Sequence, residues 1–206
     1  MVMAEYEVPK SAVIFEEEIK KSRFLTYLRR TEGLEQAKAF WKEIRQLHPE
    51  ARHHCWAAVA GEPDDSQQLG FSDDGEPAGT AGKPMLHVLQ GSKIGEISVV
   101  VVRYYGGVLL GTGGLVRAYS HGVQQALLSL ETEIRVKRRL CRLDCDYAQL
   151  NWLKNLCEKY QVEIYRQAFQ ENITMHLGVQ EKCFLSFQLE LNERSAGQLC
   201  LLSDEN

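Results

Sequence analysis

Apolar and polar residues alternate over residues 12–22 and 24–29, which predicts two strands joined as a hairpin. Leu34, Ala37, Trp41 and Ile44 then recur at helical spacing after Gly33, predicting a helix over Leu34–Leu47 that stops near His48-Pro49. Residues 53–60 read as a strand with Cys55, Ala57 and Val59 on one face. A long polar loop leads to a short helix near residues 81–90, with Pro84 tolerated in its first turn. Residues 97–103, built around Val99, Val100, Val101 and Val102, form a continuous apolar run bounded by glycine, as in a strand covered on both faces. The clearest helix follows: Leu115, Ala118, Tyr119, Gly122, Val123, Ala126, Leu127 and Leu130 keep i, i+3, i+4 spacing. Its other face carries Arg117, Ser120, His121, Gln124, Gln125 and Ser129.

A boundary near residues 131–133 separates two patterns, so residues 1–132 and 133–206 read as two domains. Thirteen of the sixteen glycines fall between Gly61 and Gly122, which makes the first part loop-rich and the second regular. Beyond the boundary the order is strand, helix, strand, strand, helix, strand, the ferredoxin-like βαββαβ arrangement. Residues 135–145 read as a strand, and Asp146 with Gln149 resembles a capping box that starts a helix with Leu150, Leu153, Cys157 and Tyr160. A hairpin over 162–169 and 173–179, a helix over 181–191 and a strand over 198–202 complete an α+β chain.

Composition narrows the function classes. With 206 residues, 44% hydrophobic and 25% charged, each half can bury a core. A net charge of −4 gives no long-range field for nucleic acid, so any such contact needs a local patch. The six cysteines include no Cys-x-x-Cys pair and are too sparse for a stapled secreted module. No apolar leader or membrane-length stretch stands out, so the expectation is a reduced, cytoplasmic protein without a membrane partner, metal or cofactor.

Site-like groups concentrate where the valine strand ends. Gly111-Thr112-Gly113-Gly114 opens the strong helix, so its amides and dipole suit an anion, with Thr112 as cap or ligand. It is neither a P-loop nor a dinucleotide fingerprint, and a plain tight turn explains it equally well. In Arg103-Tyr104-Tyr105-Gly106-Gly107, Arg103 offers a donor fork to phosphate or carboxylate while the rings offer stacking; the alternative is that one Tyr is core and Arg103 pairs with a local carboxylate. Adjacent strand residues point to opposite faces, so at most one of Tyr104 and Tyr105 lines a pocket. Thr80 and Lys83 supply a second anion contact at a helix start, and His54 stands at a pocket edge. Asp73, Asp74 and Glu76 suit either a divalent ion or ordinary turn chemistry. Arg135, Lys137, Arg138, Arg139 and Arg142 form a basic cluster that suits a nucleic-acid backbone or a charged strand edge.

Three stretches together resemble the IMPACT family, and most nearly its bacterial YigZ-type branch. They are Ala51-Arg52-His53-His54-Cys55-Trp56, the run from Asp73 through Gly75-Glu76-Pro77 to Lys83-Pro84, and the run from Val101 through Arg103-Tyr104-Tyr105-Gly106-Gly107 to Gly114-Leu115. The resemblance implies a first domain with the ribosomal-protein-S5 domain-2-like fold and a ferredoxin-like second domain, both similar to adjoining C-terminal domains of elongation factor G. It therefore implies contact with RNA, the ribosome or a protein partner in translation control. Eukaryotic members restrain a translation-control kinase and carry an additional N-terminal domain with no counterpart expected here, so that role is not carried over. The expectation is a non-catalytic binding protein. The alternatives are an enzyme acting on a small phosphorylated metabolite through Asp73, Asp74 or Glu76, and a regulator that binds protein without nucleic acid.

Overall fold

The computed structural model describes residues 5–203. In chain order the elements are β1 (Glu5–Pro9), β2 (Val13–Ile19), β3 (Ser22–Arg30), α1 (Leu34–Leu47), β4 (His53–Val59), β5 (Leu69–Ser72), α2 (Gly82–Ser92), β6 (Ile97–Tyr104) and α3 (Thr112–Leu128). There follow β7 (Thr132–Val136), β8 (Arg138–Cys145), α4 (Leu150–Lys159), β9 (Glu163–Phe169), β10 (Ile173–Gln180), α5 (Phe184–Arg194) and β11 (Leu202–Ser203). The chain divides into two compact units, one spanning Tyr6–Arg135 and the other built mainly from Val136 onward.

In the first unit, five strands order as β2-β3-β6-β4-β5, with every neighbouring pair antiparallel. The valine run occupies the central strand because both its faces are covered. Val99 and Val101 face a core with Met85, Leu89, Leu115, Tyr119 and Val123 from α2 and α3. Val100 and Val102 face Phe40 and Ile44 of α1. Each of these four valines is 1% exposed or less, and burying one contributes about 1.5–3 kcal/mol. Strand β6 thus anchors the layer and fixes where its end, and the loop to α3, emerge.

The second unit carries the four-stranded order β11-β8-β10-β9, with Leu143, Met175, Leu177, Leu153, Leu156, Phe187 and Leu191 in one core. The capping box forms as the sequence suggests: Asp146 N–H donates to Gln149 Oε1 at 3.0 Å, and Gln149 N–H donates to Asp146 Oδ1 at 2.7 Å.

Several expectations are corrected. Residues 135–145 are two strands, because β7 pairs with β1 whereas β8 pairs with β10 and β11, so the backbone changes partner at Lys137. The seam consequently follows Arg135 rather than residue 132. Helix α3 begins at Thr112, so Gly113 and Gly114 form its first turn. Helix α5 begins at Phe184, after a single 3-10 turn over Glu181–Cys183. The last strand is only Leu202–Ser203, and Leu199 is instead a core side chain. Strands β1 and β5 carry too few residues to register as periodic patterns.

A candidate ligand pocket at the junction of β6 and α3

Residue parity along β6 decides which side chains reach the pocket. Arg103 shares the face of Val99 and Val101, so it lies under α3, and its register partners are His53 on β4 and Phe24 on β3. Tyr104 takes the opposite face, where His48 Nδ1 meets its hydroxyl at 2.8 Å. Tyr105, just past the strand, turns back toward the Arg103 side, with its ring centroid 5.5 Å from the guanidinium carbon. A pocket of about 480 Å³ opens here, lined by Arg52, His53, Glu76, Pro77, Arg103, Tyr105, Leu109, Leu110, Gly111, Thr112 and Leu115. Only one of the adjacent tyrosines lines it, as alternation requires.

Its floor is a buried polar cluster. Glu76 Oε1 accepts from Arg103 Nη1 at 2.7 Å and from Tyr119 Oη at 2.8 Å. Arg103 Nη2 reaches Ser22 Oγ at 3.4 Å, and the guanidinium also lies 5.5 Å from the Phe24 ring centroid. Arg103 is therefore an internal ion-pair partner rather than a direct ligand for an outside anion, which corrects the sequence expectation. Its Nε is buried and meets no described partner. Beside the cluster, Cys55 Sγ donates to Asp73 O at 2.9 Å, and burial pushes that thiol well above its ordinary range. Burial likewise raises the Tyr119 hydroxyl, so both groups stay neutral.

The acidic loop is committed to its own fold. Asp73 Oδ1 accepts from the N–H groups of Ala81 and Gly82 at 3.0 and 2.8 Å, and Oδ2 accepts from Gly79 N–H at 2.8 Å. Its carboxylate thus serves the start of α2, where a negative charge meets the positive end of the dipole. Asp74 Oδ2 accepts from His54 N–H at 2.8 Å. Among the described residues, no group of three or more His, Cys, Asp or Glu side chains is placed to hold a metal ion.

Other expected members leave the pocket. His54 is 2% exposed and points the other way, its Nε2 donating to His48 O at 2.9 Å. One unanticipated residue is its neighbour. His53 Nδ1 donates to Asp74 O at 2.9 Å, because a carbonyl can only accept, and His53 lines the pocket. Thr80 spends its hydroxyl on Pro77 O at 2.6 Å. Lys83 lines a separate open groove with His87, Val116 and Gln124. Gly106 supports the turn, its N–H donating to Ser22 Oγ at 3.3 Å, and Gly107 adopts a positive φ of 83°.

The glycine turn into α3 stays open. Gly111 is the cap residue, and no described side chain bonds to the amides of Thr112, Gly113 and Gly114. Arg52, an exposed residue, adds a cation to the pocket that Gly111 and Thr112 also line. Arg52, Leu109, Leu110 and Leu115 were absent from the expected set. Arg52 directly precedes the β4 strand, and the leucines flank the Gly111–Gly114 turn.

The basic cluster is largely neutralised by carboxylates. Arg135 pairs with Glu32 at 2.7 Å and Glu96 at 3.1 Å, and Arg138 with Glu163 at 3.0 Å. Arg139 pairs with Glu181 and lies over the Phe184 ring, while Arg142 sits 3.8 Å from Asp144. The cluster is also divided between the two units, Arg135 closing the first. Lys137 stands at the break between β7 and β8.

Comparison with known proteins adds an independent line. A family model described as the Impact N-terminal domain matches residues 20–127, and one described as a domain of unknown function (DUF1949) matches residues 143–198. A Haemophilus influenzae protein described as an IMPACT family member is 70% identical over 199 residues, covering 97% of each chain. IMPACT family member YigZ of Escherichia coli is 51% identical over 203 residues, covering 98% of this chain and 100% of its own. Bacillus subtilis YvyE is 36% identical over 193 residues, 94% of this chain and 88% of its own. A crystal structure described only as that of a hypothetical protein matches with a TM-score of 0.75 at 50% identity, covering 100% of both chains.

Proposed function

Because this chain belongs to the IMPACT family, we propose that it is a non-catalytic binding protein of translation control that grips RNA, free or on the ribosome, through the pocket at the β6–α3 junction. One observation carries this reading: Gly111 and Thr112, at the start of α3 where no side chain caps the helix, line the same pocket as Arg52 and His53. Uncapped N–H groups at the positive end of a helix favour phosphate, and a guanidinium in the same pocket strengthens that preference. The Arg103–Glu76 pair beneath them holds the wall in place while contributing no net charge.

The enzymatic alternative has fewer supports. Asp73 is engaged by three backbone amides, Asp74 by the His54 amide, and Glu76 by Arg103 and Tyr119. Cys55 is buried with a raised pKa, which disfavours the thiolate a nucleophile needs. We further assign the second unit to the ferredoxin-like class, supported by its β11-β8-β10-β9 order, and the first to the S5 domain-2-like class. Six free cysteines suit the reducing cytoplasm as its setting.

The test is binding of a labelled single-stranded RNA, and of ribosomes by co-sedimentation, from about 50 to about 200 mM salt. The expected result is an affinity that falls log-linearly with salt and drops further in Arg52→Glu. No binding at the lowest salt overturns the reading.

A further inference from the structure

The pocket has more in it than an anion needs, and its extra features point to a base. Resting on the function proposed above, we infer that it takes a single nucleotide, with the base on Tyr105 and the phosphate at the start of α3. Tyr105 is 49% exposed, and the buried Arg103 guanidinium lies 5.5 Å from its ring centroid. A ring held by a buried cation yet half open to solvent is a stacking surface, and a base supplies the matching π-face. Leu109, Leu110 and Leu115 continue that surface as an apolar wall, which phosphate and sugar do not require.

Glu76 supplies a second discriminating group. Both hydrogen bonds it accepts fall on Oε1, and Oε2 accepts from no described residue although Glu76 lines the pocket. A carboxylate oxygen in that position repels phosphate and welcomes an N–H donor, such as the amino group of adenine, guanine or cytosine. The same pocket is lined by Arg52 and by Gly111 and Thr112, where α3 begins without a side-chain cap. A volume of about 480 Å³ is of small-ligand size and fits one base with its phosphate rather than a duplex.

This chemistry is shared by a free nucleotide and by the end of an RNA chain, so the experiment carries both. Isothermal titration of the full chain uses AMP, ribose 5-phosphate, inorganic phosphate, and a tetranucleotide with and without a 5′-phosphate. The expected result is saturable AMP binding at least about tenfold tighter than ribose 5-phosphate, a comparable loss in Tyr105→Ala, and retention in Tyr105→Phe. Arg52→Ala weakens AMP and ribose 5-phosphate alike. Tighter binding of the phosphorylated tetranucleotide identifies an RNA end as the source, and equal binding identifies the free nucleotide. If AMP binds no better than ribose 5-phosphate, or Tyr105→Ala leaves AMP binding unchanged, the inference falls. Should longer RNA still bind in that case, the proposed function stands without it; if longer RNA also fails, both fall.

Discussion

Arg103 Nη1 lies 2.7 Å from Glu76 Oε1, across 27 positions of sequence, with both side chains almost wholly buried. The contact ties the end of the central strand to the loop before α2, and the Tyr119 hydroxyl joins α3 to the same oxygen. Removing either charge strands the other away from water. Arg103→Ala and Glu76→Ala are each expected to cost about 3–5 kcal/mol, whereas Arg103→Met with Glu76→Leu recovers much of the loss. Urea unfolding checks this, and wild-type midpoints in both single variants would contradict it.

Asp73 does for α2 what a cap residue does, from nine positions away. Three amides lose their acceptor in Asp73→Ala, namely those of Gly79, Ala81 and Gly82. The expected cost is about 2 kcal/mol, with faster hydrogen exchange at those three amides and little change in the second unit. A metal-holding Asp73 would instead make stability depend on chelator, and no such dependence is expected.

Much of this was legible beforehand, and the losses have physical reasons. The helix over Leu34–Leu47 and the capping box at Asp146 and Gln149 depend on local spacing, which sequence carries directly. The valine run announced a doubly covered strand for the same reason. Pairing choices are nonlocal: whether Arg103 meets an outside anion or Glu76 depends on how a loop folds 27 positions earlier. His53 was within reach, since it shares parity with Cys55, Ala57 and Val59. Which face of the sheet would hold the pocket was not readable until α2 and α3 had taken that side. The exposed cation Arg52 precedes a strand and belongs to no periodic pattern.

The glycines at this junction are expected to separate by mechanism. A Cβ at Gly106 falls 1.8 Å from Lys21 O, so Gly106→Ala must displace backbone and is expected to cost at least about 2 kcal/mol. Gly107 has open space but φ near 83°, so Gly107→Ala should cost about 1 kcal/mol through the left-handed backbone alone. Gly113 lies in open space within α3, and Gly113→Ala should stabilise by about 0.5 kcal/mol. Thermal unfolding of the three variants gives the order; equal effects would refute the assignment.

His48 sets a pH dependence on the other face of the sheet. It bridges the hydroxyls of Tyr27 at 2.7 Å and Tyr104 at 2.8 Å, and burial, then His54 and Arg23, holds its imidazole below its ordinary value. Between the folded value and the unfolded value of about 6.5, the unfolded chain binds more protons. The stabilising contribution is therefore complete above about pH 6.5 and is lost as pH falls through the folded value. Urea midpoints from pH 5 to pH 7.5 should fall less steeply on acidification in His48→Gln than in the wild type. Equal slopes would remove His48 from the account.

The central claim is that the start of α3 receives an anionic ligand. Backbone amide shifts of the ¹⁵N-labelled full chain, followed during titration with a 5′-phosphorylated single-stranded RNA, report on it residue by residue. The account predicts that Thr112, Gly113 and Gly114 move first, together with Arg52 and His53, and that the response shrinks between about 50 and about 200 mM salt. RNA binding that leaves those amides unmoved while shifting others would contradict it.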